Sequence, residues 1–391
     1  MRLSTLGVHN ASVSSLLSKQ AELAQTQQRI SSERKFRTAG ENPAGMAQSL
    51  ALESAQAAHA RLGANVTTLR HRLSAEESTL AAVDDNLTRV RELALQANSA
   101  ALSSEDRSQI SGELEQLYAR LVDLANSDDG TGHYLFGGSR DGDAPFASSG
   151  GAVLYGGDQQ ARELAIGPGT RMTDGDSGDA VFLRIRTGAQ VQTAASNTGT
   201  LALSGLASTG GGTQALTLSF SGGQYEARAA DGSLVQSGSY TAGDSISLPG
   251  VRLSLKGSPA DGDSLVLKPG GNQDLFAQVR SIIDAVQAPV GTDAARAQAQ
   301  TLRSSALSAL DSGMTHVSSV RSSVGTRLAS LDQVESQLGA LDEQLQTTLS
   351  DVRDIGYAEA ISKLELQTTA LQAAQAVFAK VQGLTLFNYI R

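Results

Sequence analysis

Few residues in this chain could do chemistry, and none has the partners that chemistry requires. Gly175-Asp176-Ser177-Gly178 looks like a serine-nucleophile motif. Such a serine needs a histidine as general base and a buried aspartate to orient it, whereas Ser177 sits in a polar loop and nothing else of a protease is present. Asp174, Asp176 and Asp179 suggest a calcium loop. Ca²⁺ takes about six to eight oxygens, and an EF-hand loop closes on a bidentate glutamate. That glutamate is missing here and Asp179 is out of register, so the segment reads as a hairpin turn. The histidines His9, His59, His71, His133 and His316 include no pair at helical metal-site spacing. Gly130-Thr131-Gly132 opens no helix, so it is not a dinucleotide fingerprint, and no Gly-Lys-Ser/Thr phosphate loop exists. With no cysteine, thiolate ligands, disulfides and cysteine nucleophiles are excluded. Arg34, Lys35 and Arg37 come nearest to a nucleic-acid footprint, and in a chain of net charge -9 they read as solvated loop charges. The chain reads as a non-enzyme with no cofactor, no metal site and no nucleic-acid partner.

The elements that would have to position a site are long helices at both ends of the chain and a turn-rich middle. The 391 residues allow two or three domains. Apolar residues make up 40%, aromatics only 4%, and Trp is absent, so a core must be built from Leu, Val, Ile and Ala. Leu16, Leu23 and Ile30 recur at seven-residue spacing in a first helical stretch, predicted to end at Gly40 with Pro43 enforcing the break. Leu62, Leu69, Val83 and Val90 share one heptad register, interrupted by Glu76, and Val66, Leu73, Leu80, Leu87 and Ala94 share a second. This is the stripe of a coiled coil or long bundle helix. Ser103-Ser104-Glu105-Asp106 supplies the cap and first-turn acids of the next helix, which stops at Asn126-Ser127-Asp128-Asp129-Gly130. Helix returns at Asp274, and Leu310, Val317, Val324, Leu331, Leu338, Leu345 and Val352 hold one strict register, which favours left-handed supercoiling with partner helices. Tyr357, Leu364, Leu371 and Phe378 continue at that spacing to an apolar end at Leu384, Leu386, Phe387, Tyr389 and Ile390.

Between the helical ends, short runs punctuated by Gly, Asp and Ser predict strands at Val153–Tyr155, Leu164–Ile166, Val181–Ile185, Leu216–Phe220, Tyr225–Ala229 and Val251–Leu255. Ser148-Ser149-Gly150-Gly151 and Gly210-Gly211-Gly212 read as flexible tips. The expected fold class is mainly α with an inserted all-β domain: a discontinuous coiled-coil bundle built from both chain ends around a β-rich middle. The expected division is a terminal helical domain at 1–45 and 350–391, a coiled-coil bundle at 46–139 and 273–349, and a β-rich domain at 140–272. The bundle seam is expected to join Leu69, Leu80, Val83 and Leu87 to Val317, Val324, Leu331 and Leu338. The outermost helices need an apolar face to pack on, either the bundle or a neighbouring subunit. The apolar end at Phe387 and Ile390 favours the neighbour. The start Met1-Arg2-Leu3-Ser4-Thr5 lacks the apolar run of roughly 7–15 residues that a signal peptide needs. No stretch approaches the ~20 apolar residues of a membrane span. By ordinary rules the chain is soluble and cytosolic, so any export uses another signal.

Ile30-Ser31-Ser32, Glu41-Asn42-Pro43-Ala44-Gly45, Ala125–Gly130 with Tyr134-Leu135-Phe136-Gly137-Gly138, and Gln382-Gly383-Leu384-Thr385-Leu386-Phe387-Asn388-Tyr389-Ile390 occur in the order and spacing of one family. Tyr240, Gly243, Ile246, Gly250, Gly257-Ser258-Pro259 and Gly262-Asp263 match a β motif common in its insertions. The chain resembles the flagellin superfamily over nearly its whole length, closest to the hook–filament junction branch. Departures are Glu33 where Gly is usual and Glu41-Asn42 for two acids, both read as mild. Flagellins proper open on an Ile-Asn-Thr-Asn-like segment and close on Leu-Leu-Arg, and this chain does neither. The resemblance implies a secreted structural subunit exported unfolded by the flagellar type III apparatus, with a cytosolic chaperone on its C-terminal helix. It implies a ring of like subunits between the other junction protein and flagellin, with terminal helices ordered around the channel and the β domain outward. Leu16, Leu23, Ile30, Leu364, Leu371, Phe378, Phe387 and Ile390 are then the expected subunit-interface residues. The alternatives are flagellin itself or a secreted adhesin using its β domain.

Overall fold

The heptad stripes form long helices. The computed structural model describes residues 5–99, 102–209 and 214–387. Its helices are α1 (Thr5–Ser32), α2 (Pro43–Gln96), α3 (Ser104–Ala125), α4 (Leu275–Gln287), α5 (Asp293–Arg353) and α6 (Tyr357–Phe387). α3 starts on a capping box: the Ser103 hydroxyl accepts the Asp106 N–H at 3.1 Å and the Asp106 carboxylate accepts the Ser103 N–H at 2.9 Å. α4 is capped by Asp274, whose carboxylate accepts the Ala277 N–H. α1 stops at Ser32, short of the predicted Gly40, because Glu33 takes φ +60° and turns the chain out of the helix.

The chain divides into two compact units, Met1–Ala64 with Glu335–Arg391, and Asn65–Val334. In the second, Leu69, Leu73, Leu80, Val83, Leu87 and Val90 of α2 and Leu310, Val317, Val324 and Leu331 of α5 are fully buried. The expected seam residue Leu338 falls in the other unit and is only half-buried. Ion pairs flank the packed stripes: Arg321 reaches Glu77 at 2.9 Å and Asp84 at 3.0 Å, and Arg91 reaches Asp311 at 2.7 Å. α3 packs on α4, with the Arg280 guanidinium 4.3 Å over the Tyr118 ring.

The middle of the chain forms antiparallel strands. β1 (Phe146–Ser149) pairs with β2 (Ala152–Tyr155), and β3 (Glu163–Gly167) with β4 (Thr170–Thr173). The rest are β5 (Ile185–Arg186), β6 (Gln190–Thr193), β7 (Ala202–Ser208), β8 (Leu216–Ser221), β9 (Gln224–Ala229), β10 (Leu234–Ser239), β11 (Ser245–Leu248), β12 (Val251–Lys256), β13 (Ser264–Lys268) and β14 (Asn272–Gln273). They build a five-stranded sheet in the order β10-β9-β8-β13-β6, a three-stranded sheet β11-β12-β7 and a ribbon β14-β5. Both larger sheets contribute to one core that includes Leu203, Leu218, Phe220, Leu253, Leu255 and Leu265. Ser148-Ser149-Gly150-Gly151 closes the β1–β2 hairpin, and Gly210-Gly211-Gly212 lies outside the described residues.

The predicted strand at Val181–Ile185 is not there. Asp179–Leu183 is a π-helical turn, and β5 begins only at Ile185. A strand would send Val181 and Phe182 to opposite faces, yet both are fully buried. Phe182 packs with Phe136, Phe146 and Phe276 at centroid distances of 5.1, 5.4 and 5.9 Å. The helical turn satisfies both side chains.

The Tyr240–Asp263 motif has a mechanical explanation. The Tyr240 hydroxyl donates to the Gly257 carbonyl at 3.1 Å, and a Cβ on Gly257 would lie 2.0 Å from the Thr200 carbonyl oxygen. The Asp263 carboxylate, 2% exposed, accepts the N–H groups of Thr198, Gly199 and Ala260 at 2.8, 3.0 and 2.8 Å. One side chain thus fixes two loops. Asp263→Ala strands three donors and is expected to cost about 2–4 kcal/mol in urea unfolding. Asp263→Asn, which keeps one acceptor oxygen, should lose roughly half of that.

Candidate functional site

Within the terminal unit, α1 packs against α6. Every third or fourth residue of each helix is less exposed than its neighbours: Ser12, Leu16, Lys19, Leu23, Thr26 and Ile30 on α1, and Ala360, Leu364, Gln367, Leu371, Ala374 and Phe378 on α6. These are the a/d positions of a two-helix seam, and the His9 and Phe378 rings meet across it at 5.5 Å. Six of the expected interface residues, Leu16, Leu23, Ile30, Leu364, Leu371 and Phe378, therefore lie half-buried along this intramolecular seam. Phe387 closes α6, with its side chain outside the described residues, as is Ile390. The flanks of the pair remain apolar and uncovered: Leu366 is 71% exposed, Val377 62% and Leu17 60%, with Tyr357 and Ile361 also exposed.

A short clasp joins the α1–α2 connection to the α5–α6 turn. Arg34 and Asp354 form an antiparallel bridge, Lys35 N–H donates to the Arg353 carbonyl at 2.7 Å, and Ile355 N–H to the Glu33 carbonyl at 2.9 Å. The Lys35 ammonium also donates to the Asp351 carbonyl. Phe36, 4% exposed, anchors the connection. Asn42 Oδ1 accepts the Gly45 N–H at 2.9 Å, capping α2 ahead of Pro43 at its first position. A Cβ on Gly45 would lie 2.7 Å from the Phe36 ring, which is why this turn ends in glycine. Glu33 alone among the described non-glycine residues has positive φ, so its replacement of the usual glycine is not mild: it holds a strained conformation. Its carboxylate pushes the Tyr357 hydroxyl above its ordinary pKa, an interaction glycine cannot make.

The second unit contains a buried polar node. Arg72, held within α2, bonds the Tyr134 carbonyl at 3.0 Å and meets Asp129, Asp174 and Asp141 at 3.3, 3.5 and 3.8 Å. Arg162 joins Asp174 at 2.6 Å, and Arg327 of α5 joins Asp176. Glu76, the residue that interrupts the heptad, is 1% exposed and accepts the Asp176 N–H at 3.2 Å. The three aspartates that suggested a calcium loop do not converge: Asp174 goes to Arg72 and Arg162, Asp176 to Arg327, Asp179 to Arg184. Among the described residues no group of three His, Asp or Glu could hold a metal. The node ties helices to the loop after β4, and sequence reading noted Glu76 only as an interruption of the heptad register and missed it. The signal was the single charged residue inside an otherwise unbroken apolar stripe.

The sequence matches the bacterial flagellin N-terminal helical region over residues 3–141 and the C-terminal helical region over 307–390. A crystal structure of FlgL from Xanthomonas campestris is 35% identical, with a TM-score of 0.71, covering 76% of this chain and 99% of that one. The chain belongs to the flagellin superfamily. Hook-associated protein-3 of Legionella pneumophila is 26% identical, with a TM-score of 0.73, covering 77% of this chain and 98% of its own. Flagellar hook-associated protein 3 of Escherichia coli K12 is 24% identical over 99% of both chains. As a flagellin-superfamily member it is a structural protein, not an enzyme. The two matched regions contain the α1–α6 pair and the clasp, and every β strand falls between them. No helix among the described residues is long and apolar enough to cross a membrane.

Two predictions follow from this flagellin-type geometry. Gly45→Ala drives a methyl into the Phe36 ring and should destabilise the clasp by about 1–3 kcal/mol, read as faster hydrogen exchange at the Lys35 and Ile355 amides. The Glu76 carboxyl is pushed up to about 8, by burial first and then by Asp176, from an ordinary value of 4.5. The folded state therefore binds this proton more tightly than the unfolded chain. The stabilisation is complete below about pH 4.5 and is lost as pH rises through about 8. Glu76→Gln should raise Tm more at about pH 8.5 than at about pH 5. An equal change at both would show that this carboxyl does not titrate as described.

Proposed function

We propose that the chain is a structural subunit of the flagellar hook–filament junction. The observation that carries this reading is its end-to-end match with hook-associated protein 3, covering 99% of both chains. It forms a ring of like subunits, with the other junction protein on one side and flagellin on the other. It reaches that place outside the cell through the flagellar type III apparatus, unfolded, its C-terminal helix held beforehand by a cytosolic chaperone. Residues 1–45 and 350–391 are the part completed by assembly, 46–139 and 273–349 the supporting bundle, and 140–272 a surface domain.

The physics of the terminal unit supports the assembly role. Two helices cover one side of each other and leave Leu17, Leu366 and Val377 in water. Burying such faces yields ~25 cal/mol per Å², set against an ordering cost of roughly 2–5 kcal/mol for segments that fold on binding. A chain that gains this burial only beside its neighbours assembles in place rather than prematurely.

Immunogold microscopy of whole cells tests the location. A single band where hook meets filament is expected. Gold along the filament would make the chain a flagellin, and gold on the cell surface alone would leave an adhesin. At the residue level, Leu371→Asp or Phe378→Asp should cut incorporation into flagella at least tenfold, about 1.4 kcal/mol or more of docking free energy, while the thermal transition of residues 65–334 stays unchanged. Wild-type incorporation of either variant would sink the assembly role of this seam.

A further inference from the structure

Beside the clasp lies a cavity of about 200 Å³, lined by Thr26, Arg29, Lys35, Glu359 and Lys363 around the Ile355–Gly356 turn. Three of its side chains are cations and one is an acid. Arg29 shares its charge with Glu41 at 3.5 Å, and Lys35 is directed to a carbonyl, that of Asp351, which does not neutralise it. Lys363 makes no ion pair among the described residues, although Glu359 stands one turn away on α6. The Lys35 of the basic loop singled out in the sequence thus faces a cavity that can take a small anionic group.

The distribution of charge says where such a group comes from. Residues 1–64 and 335–391 hold 11 of the 31 Lys and Arg and 11 of the 40 Asp and Glu, a net charge of zero. The other 20 basic and 29 acidic residues lie in 65–334, so that unit carries the whole net charge of -9. The geometry points to a carboxylate-docking pocket: in the assembled ring, an Asp or Glu side chain from residues 65–334 of a second copy of this chain enters the cavity and pairs with Lys35 and Lys363. This rests on the ring reading above. Charge-assisted hydrogen bonds from two ammonium groups hold a carboxylate in a partly desolvated site, and they give register where the apolar seam gives only adhesion.

Carbodiimide treatment of intact flagella tests this directly, because it joins an amine to a carboxylate only when the two are in contact. The covalent dimer is excised and its links mapped by mass spectrometry. Links from Lys35 or Lys363 to an acid within 65–334 are expected. A dimer linked only through Lys19, Lys256, Lys268 or Lys380 overturns the pocket and leaves the ring standing. A chain absent from flagella removes the ring reading and the pocket with it. Lys35→Gln with Lys363→Gln should lower incorporation about tenfold, or ~1.4 kcal/mol, and the matching Arg pair should restore it. Lys256→Gln with Lys268→Gln, on exposed strand positions outside the seam and the cavity, should leave it unchanged. Equal incorporation of the Gln and Arg pairs would overturn the proposal. So would protection of Lys363 from acylation by inorganic phosphate in the isolated full chain with no dimer links, since the occupant would then be a free ion.

Discussion

A pair of helices can cover only one side of each of its members, and the organisation of this chain follows from that limit. Where four helices and a β-rich insertion surround an apolar stripe, the stripe disappears from water: Leu69, Leu80, Val324 and Leu331 are completely buried. Where only α1 and α6 meet, the same kind of stripe is half-buried. The transition occurs within single heptad registers. On α5, Val317, Val324 and Leu331 are sealed, while Leu338, Leu345 and Val352 are half-exposed. On α2, Leu62 is half-exposed and Leu69 sealed. Helical stability comes mainly from the covered face, so one chain holds one unit finished by its own packing and one whose apolar surface is only partly used.

The finished unit also settles its polar groups internally. Arg72 is inserted among carboxylates and carbonyls and shares Asp174 with Arg162, and breaking such a network costs more than its net worth because the leftover charge stays buried. Among the described residues, Arg303 and Arg107 make no ion pair with an acid. They donate instead to Asn98 and Ala97 just beyond the end of α2, and Arg303 also reaches the Ala285 carbonyl in the last turn of α4. The negative ends of two helices thus act as the counter-charge. These ionic groups are answered within the unit.

Much of this was legible in the sequence because heptad spacing and capping residues act locally. The α2 and α5 stripes, the Ser103 cap and the Asp274 restart all lie where their residue types require. What escaped depends on contacts distant in sequence. A heptad reports that a partner exists but not how many, so Leu338 and Leu331 look identical until the number of surrounding helices is known. Val181–Ile185 has a strand's composition, but adjacent Val181 and Phe182 are both fully buried, Phe182 in an aromatic cluster, and the chain turns helically there. Glu33 looked a trivial change because its cost lies in a backbone angle, not in a side-chain contact. Glu76 marked the polar node, but its partners Asp176 and Arg327 come from the far side of the β insertion and of α5, and no local pattern links them.

The same asymmetry bears on where function sits. An adhesin would be expected to concentrate exposed apolar or unpaired groups on its inserted domain, the part displayed to a receptor. Here the large exposed apolar residues gather instead in the terminal unit, at Leu17, Leu50, Leu341, Tyr357, Ile361, Leu366 and Val377, against Leu154 and Leu234 on the β strands. An extended apolar surface on an otherwise soluble protein marks the place where it meets another. Because that surface lies on helices formed from both chain ends, joined by the clasp, neither end can supply it alone. On the proposed assembly role, incorporation therefore needs the two termini present and paired together.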